Sequence, residues 1–284
     1  MIDYDKFRDI MREKLEYWQN DVTDADIMDI SYNIKEFITE ETSFKLYRYM
    51  PINYFNIRNL ETQKIHLSPN GVLNDVYEGL PCFGENIPYS QLQQLKDLAY
   101  MVCMTESNNN SLMWSHYADN HAGICIEYDL KQLEDGPYDL VSHLFPVVYE
   151  EHRKIYRNLY TLIESHKELK KAIEEEAEYD GYECLDDVLP LFITKGSKWS
   201  YEREWRILFS KKQMYDINES SLYDGNLYFR CITSVYLGYR IHPEVKKNIE
   251  EICKRISTNK KPVSLYQAKL AGNTYTIDFE KIKL

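Results

Sequence analysis

The segment KGSKWSYEREWRIL (195–208) holds the densest set of chemically useful side chains in the chain. If 201–208 is a strand, its period of two puts Glu202, Glu204, Arg206 and Leu208 on one face. Trp205 and Ile207 then face the other layer. Two carboxylates two residues apart repel unless something cationic uses them. A metal ion, an arginine or a positive charge that develops during a reaction would each serve. Ion pairing with Arg203, Arg206 and Lys198 is the structural alternative.

Three further clusters could join this one. In SLMWSHYADNHAGICIEYDL (111–130), Trp114, His116, Tyr117 and His121 bring polar-tipped rings to a helix–turn–strand corner. A histidine there can act as a general base or a ligand. His116 and His121 are five apart across a break, which is not the i, i+4 spacing of a helical metal pair. Taken alone, each is better read as structural, His121 capping the turn and His116 donating to a backbone carbonyl. In HLSPNGVLNDVYEG (66–79), Asn74, Asp75 and Glu78 lie in a loop beside a strand end, a common place for functional residues. Asn and Asp also make turns by capping their own backbone. In KLYRYM, Arg48 stands between Tyr47 and Tyr49. A guanidinium buried among aromatics needs a carboxylate or a phosphate. Glu202 or Glu204 would be the structural partner, and a phosphate-bearing ligand the functional one.

Other chemistries lack their signatures. The chain has no Walker loop, GxGxxG, GxSxG or HExxH, so kinase, dinucleotide-dehydrogenase, α/β-hydrolase and zincin readings are unsupported. None of the six cysteines forms a CxxC pair or a zinc-like spacing with histidine, and no metal site is assigned. Cys103, Cys125, Cys231 and Cys253 sit among apolar residues and read as small buried hydrophobes.

The elements that must position these clusters follow from periodicity. Phe7, Ile10, Met11, Leu15 and Trp18 recur at helical spacing. Thr23 can cap a second helix carrying Ile27, Ile30, Ile34, Phe37 and Ile38. Strands are expected at 44–50, 64–68, 99–105, 123–130 and 232–239, with short helices at 54–62, 89–98 and 111–119. A helix from Pro243 carries Val245, Ile249, Ile252 and Cys253 on one stripe. VSLYQAKL and TYTIDF close the chain as a strand pair. The fold class is α+β: a mixed central sheet in one domain over 43–284. Residues 1–42 form an N-terminal helical cap, and a charged helical insertion lies at about 150–190.

With 284 residues, 44% hydrophobic and 28% charged, the chain has an ordinary globular balance, and disorder throughout is excluded. No apolar run approaches the ~20 residues of a membrane span. The charged N-terminus does not read as a secretory leader, so a reduced, cytoplasmic protein is expected. A net charge of −12 disfavours general nucleic-acid binding but not a local basic pocket.

Taken in order, LYRYM with NIRNLET, IHLSPNGVLNDVYEG, MTESNNNSLMWSHYADNHAGICIEYD, KGSKWSYEREWRIL and ITSVYLGYRI resemble the bacterial family labelled domain of unknown function 2971. They span residues 46–240. The chain departs from the family pattern at Val76 and Tyr77, where a proline followed by an aromatic is usual. The family label states no activity. Its gene setting resembles that of mobile-element and phage-defence genes, which implies a defence-associated or toxin-like role.

The arrangement is also similar to that of ADP-ribosyltransferases: an early strand with an arginine, a middle strand with an aromatic neighbour and a late strand with a glutamate. That resemblance implies NAD as the small-molecule nucleotide, with a protein or nucleic-acid acceptor. Glu204 would stabilise the positive charge that develops as the nicotinamide–ribose bond breaks, with Glu202 as its paired glutamate. His116 and Tyr117 would complete the catalytic set. Arg48 would hold the pyrophosphate, with Tyr47, Trp114, Asn74, Asp75 and Arg206 around the cofactor. A metal-dependent nuclease using Asp75, Glu78, Glu202 and Glu204, and a sensor that binds a phage component or nucleotide without chemistry, are the alternatives.

Overall fold

The computed structural model describes residues 2–18, 34–38, 40–69, 74–79, 99–133, 139–153, 191–210 and 226–284, together with Lys167, Lys171, Leu189 and Gln213. The helix expected at 89–98, the start of the Thr23-capped helix and most of the charged insertion lie outside these residues.

Helix α1 (Tyr4–Trp18) buries Phe7, Met11 and Leu15, which recur every fourth residue along one face. Strand β1 (Lys45–Met50) follows, then helix α2 (Tyr54–Thr62). Asn53 caps α2 by accepting a hydrogen bond from the Asn56 amide, and Gln63 closes it in the left-handed conformation. Next come β2 (Lys64–His66), β3 (Ser68–Pro69), β4 (Ala99–Thr105), α3 (Ser111–Tyr117) and β5 (Ile124–Asp129). Short strands β6 (Leu144–Pro146), β7 (Val148–Glu150) and β8 (Thr194–Gly196) precede β9 (Glu204–Ser210). The chain ends with β10 (Asn226–Tyr228), β11 (Ile232–Leu237), α4 (Pro243–Ile256), β12 (Ser264–Leu270) and β13 (Ile277–Ile282). Helix α4 buries Ile249, Ile252, Cys253 and Ile256, so its apolar stripe matches the sequence pattern.

The α+β assignment holds. The main sheet runs β13-β12-β11-β5-β1-β4-β9-β6, with β3 added beside β4. It is mixed, because β11 and β12 are parallel while the other neighbours are antiparallel. Strand β5 (ICIEYD) is buried along its whole length, as a central strand covered on both faces should be. Among the described residues, no helix is long and apolar enough to cross a membrane.

One irregularity makes the site. Strand β1 pairs with β5 over all six of its residues but with β4 at a single position, Tyr47 opposite Thr105. Beyond that pair β4 takes β3 as its neighbour, with Ser68 opposite Met101. The sheet therefore parts between β1 and β4. Directly opposed residues share a face, so Tyr47, Tyr49, Thr105, Cys103, Glu204 and Arg206 lie on one side. Arg48, Met104 and Trp205 lie on the other. There Tyr4, Phe7 and Phe44 pack edge-on to Trp205, with ring centroids 6.0, 6.0 and 5.6 Å away.

The segment before β9 corrects one expectation. Residues 201–208 are not one strand: Ser197–Glu202 is a 3₁₀ helix, Arg203 is left-handed (φ 45°, ψ 53°), and the strand starts at Glu204. A 3₁₀ turn satisfies the backbone of this short polar stretch locally, where no neighbouring strand offers a ladder.

Candidate functional site

A cavity of about 810 Å3 opens where β1 and β4 part. Tyr47, Arg48 and Tyr49 line it from β1, and Met101, Cys103, Met104 and Thr105 line it from β4. Ser115, His116 and Tyr117 enter from α3, Asn74 and Glu78 from the loop after β3, and Lys195, Glu202 and Glu204 from the segment around β8 and β9. The cap Asn110, whose side chain accepts from the Leu112 amide, starts α3 and aims its last turn at the cavity.

The floor is a charged cluster. The Lys195 ammonium lies 2.6 Å from Glu202, 3.1 Å from Glu204 and 3.4 Å from Glu78. Arg206 donates Nε to Glu204 Oε1 at 2.8 Å and Nη2 to Glu204 Oε2 at 2.9 Å, and it also pairs with Glu78. Its remaining nitrogen donates to the Phe192 carbonyl at 2.5 Å. Tyr117 Oη donates to Glu202 Oε1 at 2.5 Å. The Thr105 hydroxyl donates to the Glu202 carbonyl at 2.5 Å, and the Glu204 amide donates to Tyr149 Oη at 2.8 Å. All five charged groups are buried. Three carboxylates against two cations leave the cluster one negative charge when all are ionised.

The two neighbouring glutamates are pushed apart in acidity. Burial works to raise Glu204, but Arg206 and Lys195 outweigh it and hold its carboxyl at about 2. Glu202 goes the other way: burial and the negative charge of Glu204 raise it, against the pull of Lys195 and Tyr117. Burial would lower Lys195, yet Glu204 and Glu78 hold its pKa above the ordinary lysine value. Burial and Glu202 raise the Tyr117 phenol. A permanently ionised carboxylate beside one poised higher is a recognised division of labour between electrostatic stabiliser and proton carrier.

Arg48 is the exception to this pairing. It is among the residues that line the cavity, but by register its side chain leaves β1 on the face opposite Tyr47 and Glu204. Among the described residues it has no ion pair or side-chain hydrogen bond, while Glu202 and Glu204 are held by Lys195, Tyr117 and Arg206. The expected structural partners of Arg48 are thus not its partners.

Seven of the ten residues named from the sequence meet at the cavity: Arg48, Tyr47, Asn74, His116, Tyr117, Glu202 and Glu204. Three do not line it. Trp114 is fully buried against Tyr49, with Nε1 donating to the Asn108 carbonyl at 2.8 Å, so its ring packs the wall. Asp75 accepts from the Tyr77 amide at 3.0 Å, the turn chemistry that Asx residues favour. Arg206 lies behind Glu204 and supports it. Lys195 went unnoticed in the sequence, although it opens the very motif that contains both glutamates. Lys198 lies in the 3₁₀ turn that ends at Glu202 but is exposed.

Among the described residues, no three His, Cys, Asp or Glu side chains are placed to hold a metal ion. The position central to Glu78, Glu202 and Glu204 is filled by the Lys195 ammonium.

Residues 113–207 match the family described as Protein of unknown function (DUF2971). The match contains most of α3, all of β5, the Lys195 turn and the start of β9, and so most of the cavity floor. No curated protein and no solved structure matches the chain.

Proposed function

We propose that this chain is an NAD-consuming enzyme of the ADP-ribosyl type, acting as a defence-associated or toxin-like effector. The observation that carries the reading is one cavity lined both by Arg48, which has no ion pair among the described residues, and by a glutamate pair of divided acidity at its floor. Arg48 supplies the charge that a pyrophosphate needs, in a fork that matches phosphate oxygens. Tyr47, Tyr49 and Tyr117 supply aromatic surface for a base or nicotinamide ring. The floor has a net negative charge, which favours the oxocarbenium-like cation that forms when the nicotinamide–ribose bond breaks. Glu204 remains ionised. Glu202 is poised to take the acceptor's proton, with Tyr117 fixing its orientation. The defence role rests on the family resemblance alone.

A second reading is a sensor that binds a nucleotide without reacting. The cations on Glu202 and Glu204 favour it, since a paired carboxylate is less available for chemistry. A metal-dependent nuclease finds no ligand trio among the described residues.

Calorimetric titration of NAD into the wild type and Arg48→Met tests the shared premise. The wild type should bind, and the variant should bind at least about tenfold more weakly, the effect of ~1.4 kcal/mol. Equal binding by both, or no binding by either, would remove the nucleotide from the account.

A further inference from the structure

Glu106 lies one residue beyond β4, outside the cavity lining, yet two arginines and an indole converge on it. Its Oε1 accepts from Arg8 Nη1 at 2.5 Å and from the Trp205 indole at 2.7 Å. Its Oε2 accepts from Arg203 Nε at 2.5 Å. Arg8 comes from α1 and also donates to the backbone carbonyls of Glu204, at 3.4 Å, and Val147, at 3.3 Å. Arg203 reaches Asp5 of the same helix at 2.9 Å.

Arg203 is the residue between the two cavity glutamates, and it holds a left-handed backbone (φ 45°) without being glycine. Such a residue persists only where its surroundings over-determine it, and such positions cluster at functional sites. Here the surroundings are Glu106 on its side chain and Ser200 on its amide at 3.2 Å. The reversal at Arg203 decides how the end of the 3₁₀ turn meets the first residue of β9. It therefore decides where Glu202 and Glu204 stand relative to each other.

We propose that Glu106 is a positioning residue: through Arg203 and Arg8 it sets the spacing of Glu202 and Glu204, and it makes helix α1 part of the site's support. The proposal rests on the reading above only in taking these two glutamates as the working carboxylates. Glu106 acts on the far side of the β9 backbone, so its removal need not alter the cavity lining itself. What changes is the turn. With Arg203 released, Glu202 can leave Lys195 and Tyr117 and move toward solvent.

The test reads the Glu202 carboxyl directly, by carbon-detected NMR titration with Glu202→Gln for assignment. The groups facing Glu202 are Lys195 from β8, Glu204 and Arg206 from β9, Tyr117 from α3, Tyr149 from β7, Tyr201 from its own turn and Glu78 from the loop after β3. None is altered in Glu106→Gln. The wild-type carboxyl should titrate above the ordinary glutamate range, and Glu106→Gln should bring it down toward that range. Ile249→Ala, a core change in α4, should lower stability without moving it. If Glu106→Gln fails to fold, Arg203→Gly replaces it: glycine accepts the left-handed angle but cuts the link to Glu106, and the same downward movement is expected. An unmoved titration in the variant, or an equal movement in Ile249→Ala, overturns the proposal. NAD turnover is measured on the same samples, where Glu106→Gln should lose about a hundredfold in kcat with KM little changed. If the wild type turns over no NAD, the proposed function fails, while the titration still decides the role of Glu106.

Discussion

Replacing Lys195 by Met removes the cation common to three buried carboxylates. Its ammonium lies 2.6, 3.1 and 3.4 Å from Glu202, Glu204 and Glu78, and methionine keeps most of the side-chain volume. Arg206 alone then faces three carboxylates, so the excess negative charge of the cluster doubles. Removing one partner of a buried ion pair costs about 3–5 kcal/mol, because the other partner is left uncompensated. An unfolding entropy of ~2.1 cal/mol/K per residue, applied to the whole chain, turns this into a Tm loss of about 5–8 °C. The pH dependence has a definite sign. In the wild type, Glu204 is held at about 2, so its contribution is present above the ordinary carboxylate range and is lost only on strong acidification. Glu202 is raised, so its contribution is full below the ordinary range and is lost as pH rises through its folded value. Without Lys195 both carboxyls rise, and the loss should be largest near pH 8 and smaller near pH 5, where protons replace the ammonium. Thermal unfolding of both proteins at the two pH values measures this. A Tm within about 1 °C of the wild type near pH 8, or a deficit that grows on acidification, would refute the idea that Lys195 compensates the floor.

Two further expectations follow from single contacts. Tyr117→Phe removes the donor to Glu202 Oε1, and that hydrogen bond lowers the Glu202 pKa. The limb of the pH–rate profile set by Glu202 should therefore move to higher pH in the variant; an unmoved limb would separate Glu202 from the rate. Burial pushes the thiols of Cys103, Cys125 and Cys231 well above the ordinary cysteine value, and that of Cys253 up to about 12. Cys125, Cys231 and Cys253, which are buried, should resist alkylation in the native protein and react once it is unfolded, while Cys103, which lines the cavity, is slowed by its raised pKa alone. Peptide mass mapping after brief treatment with iodoacetamide would show it, and rapid native labelling of any of the three buried thiols would contradict their placement.

How far the sequence led depended on the kind of signal. The apolar stripe of α4, the uniformly apolar β5 and the closing strand pair were readable because burial imposes a period on a chain. That Glu202 and Glu204 would meet cations was readable because paired carboxylates are costly away from partners or ligands, whereas the carboxylate expected for Arg48 is not there. The turn at Arg203 was not, since WSYEREWR alternates as well as any strand and nothing local marks a left-handed arginine. That angle is held by Glu106, almost a hundred positions earlier, and by α1 at the start of the chain. Lys195 was missed for a similar reason: a lysine in a polar stretch looks solvated until the fold buries it among carboxylates. The parting of β1 from β4, which creates the cavity, depends on which strand β4 takes as its neighbour, and periodicity does not encode that choice.

The most direct measurement is nicotinamide release from labelled NAD by the purified protein with host lysate as acceptor, beside Glu202→Gln. The account predicts release by the wild type and a loss of at least about a hundredfold in the variant, with NAD binding retained. Release that Glu202→Gln leaves intact, or NAD binding with no release from either protein, would contradict it, the latter in favour of a sensor.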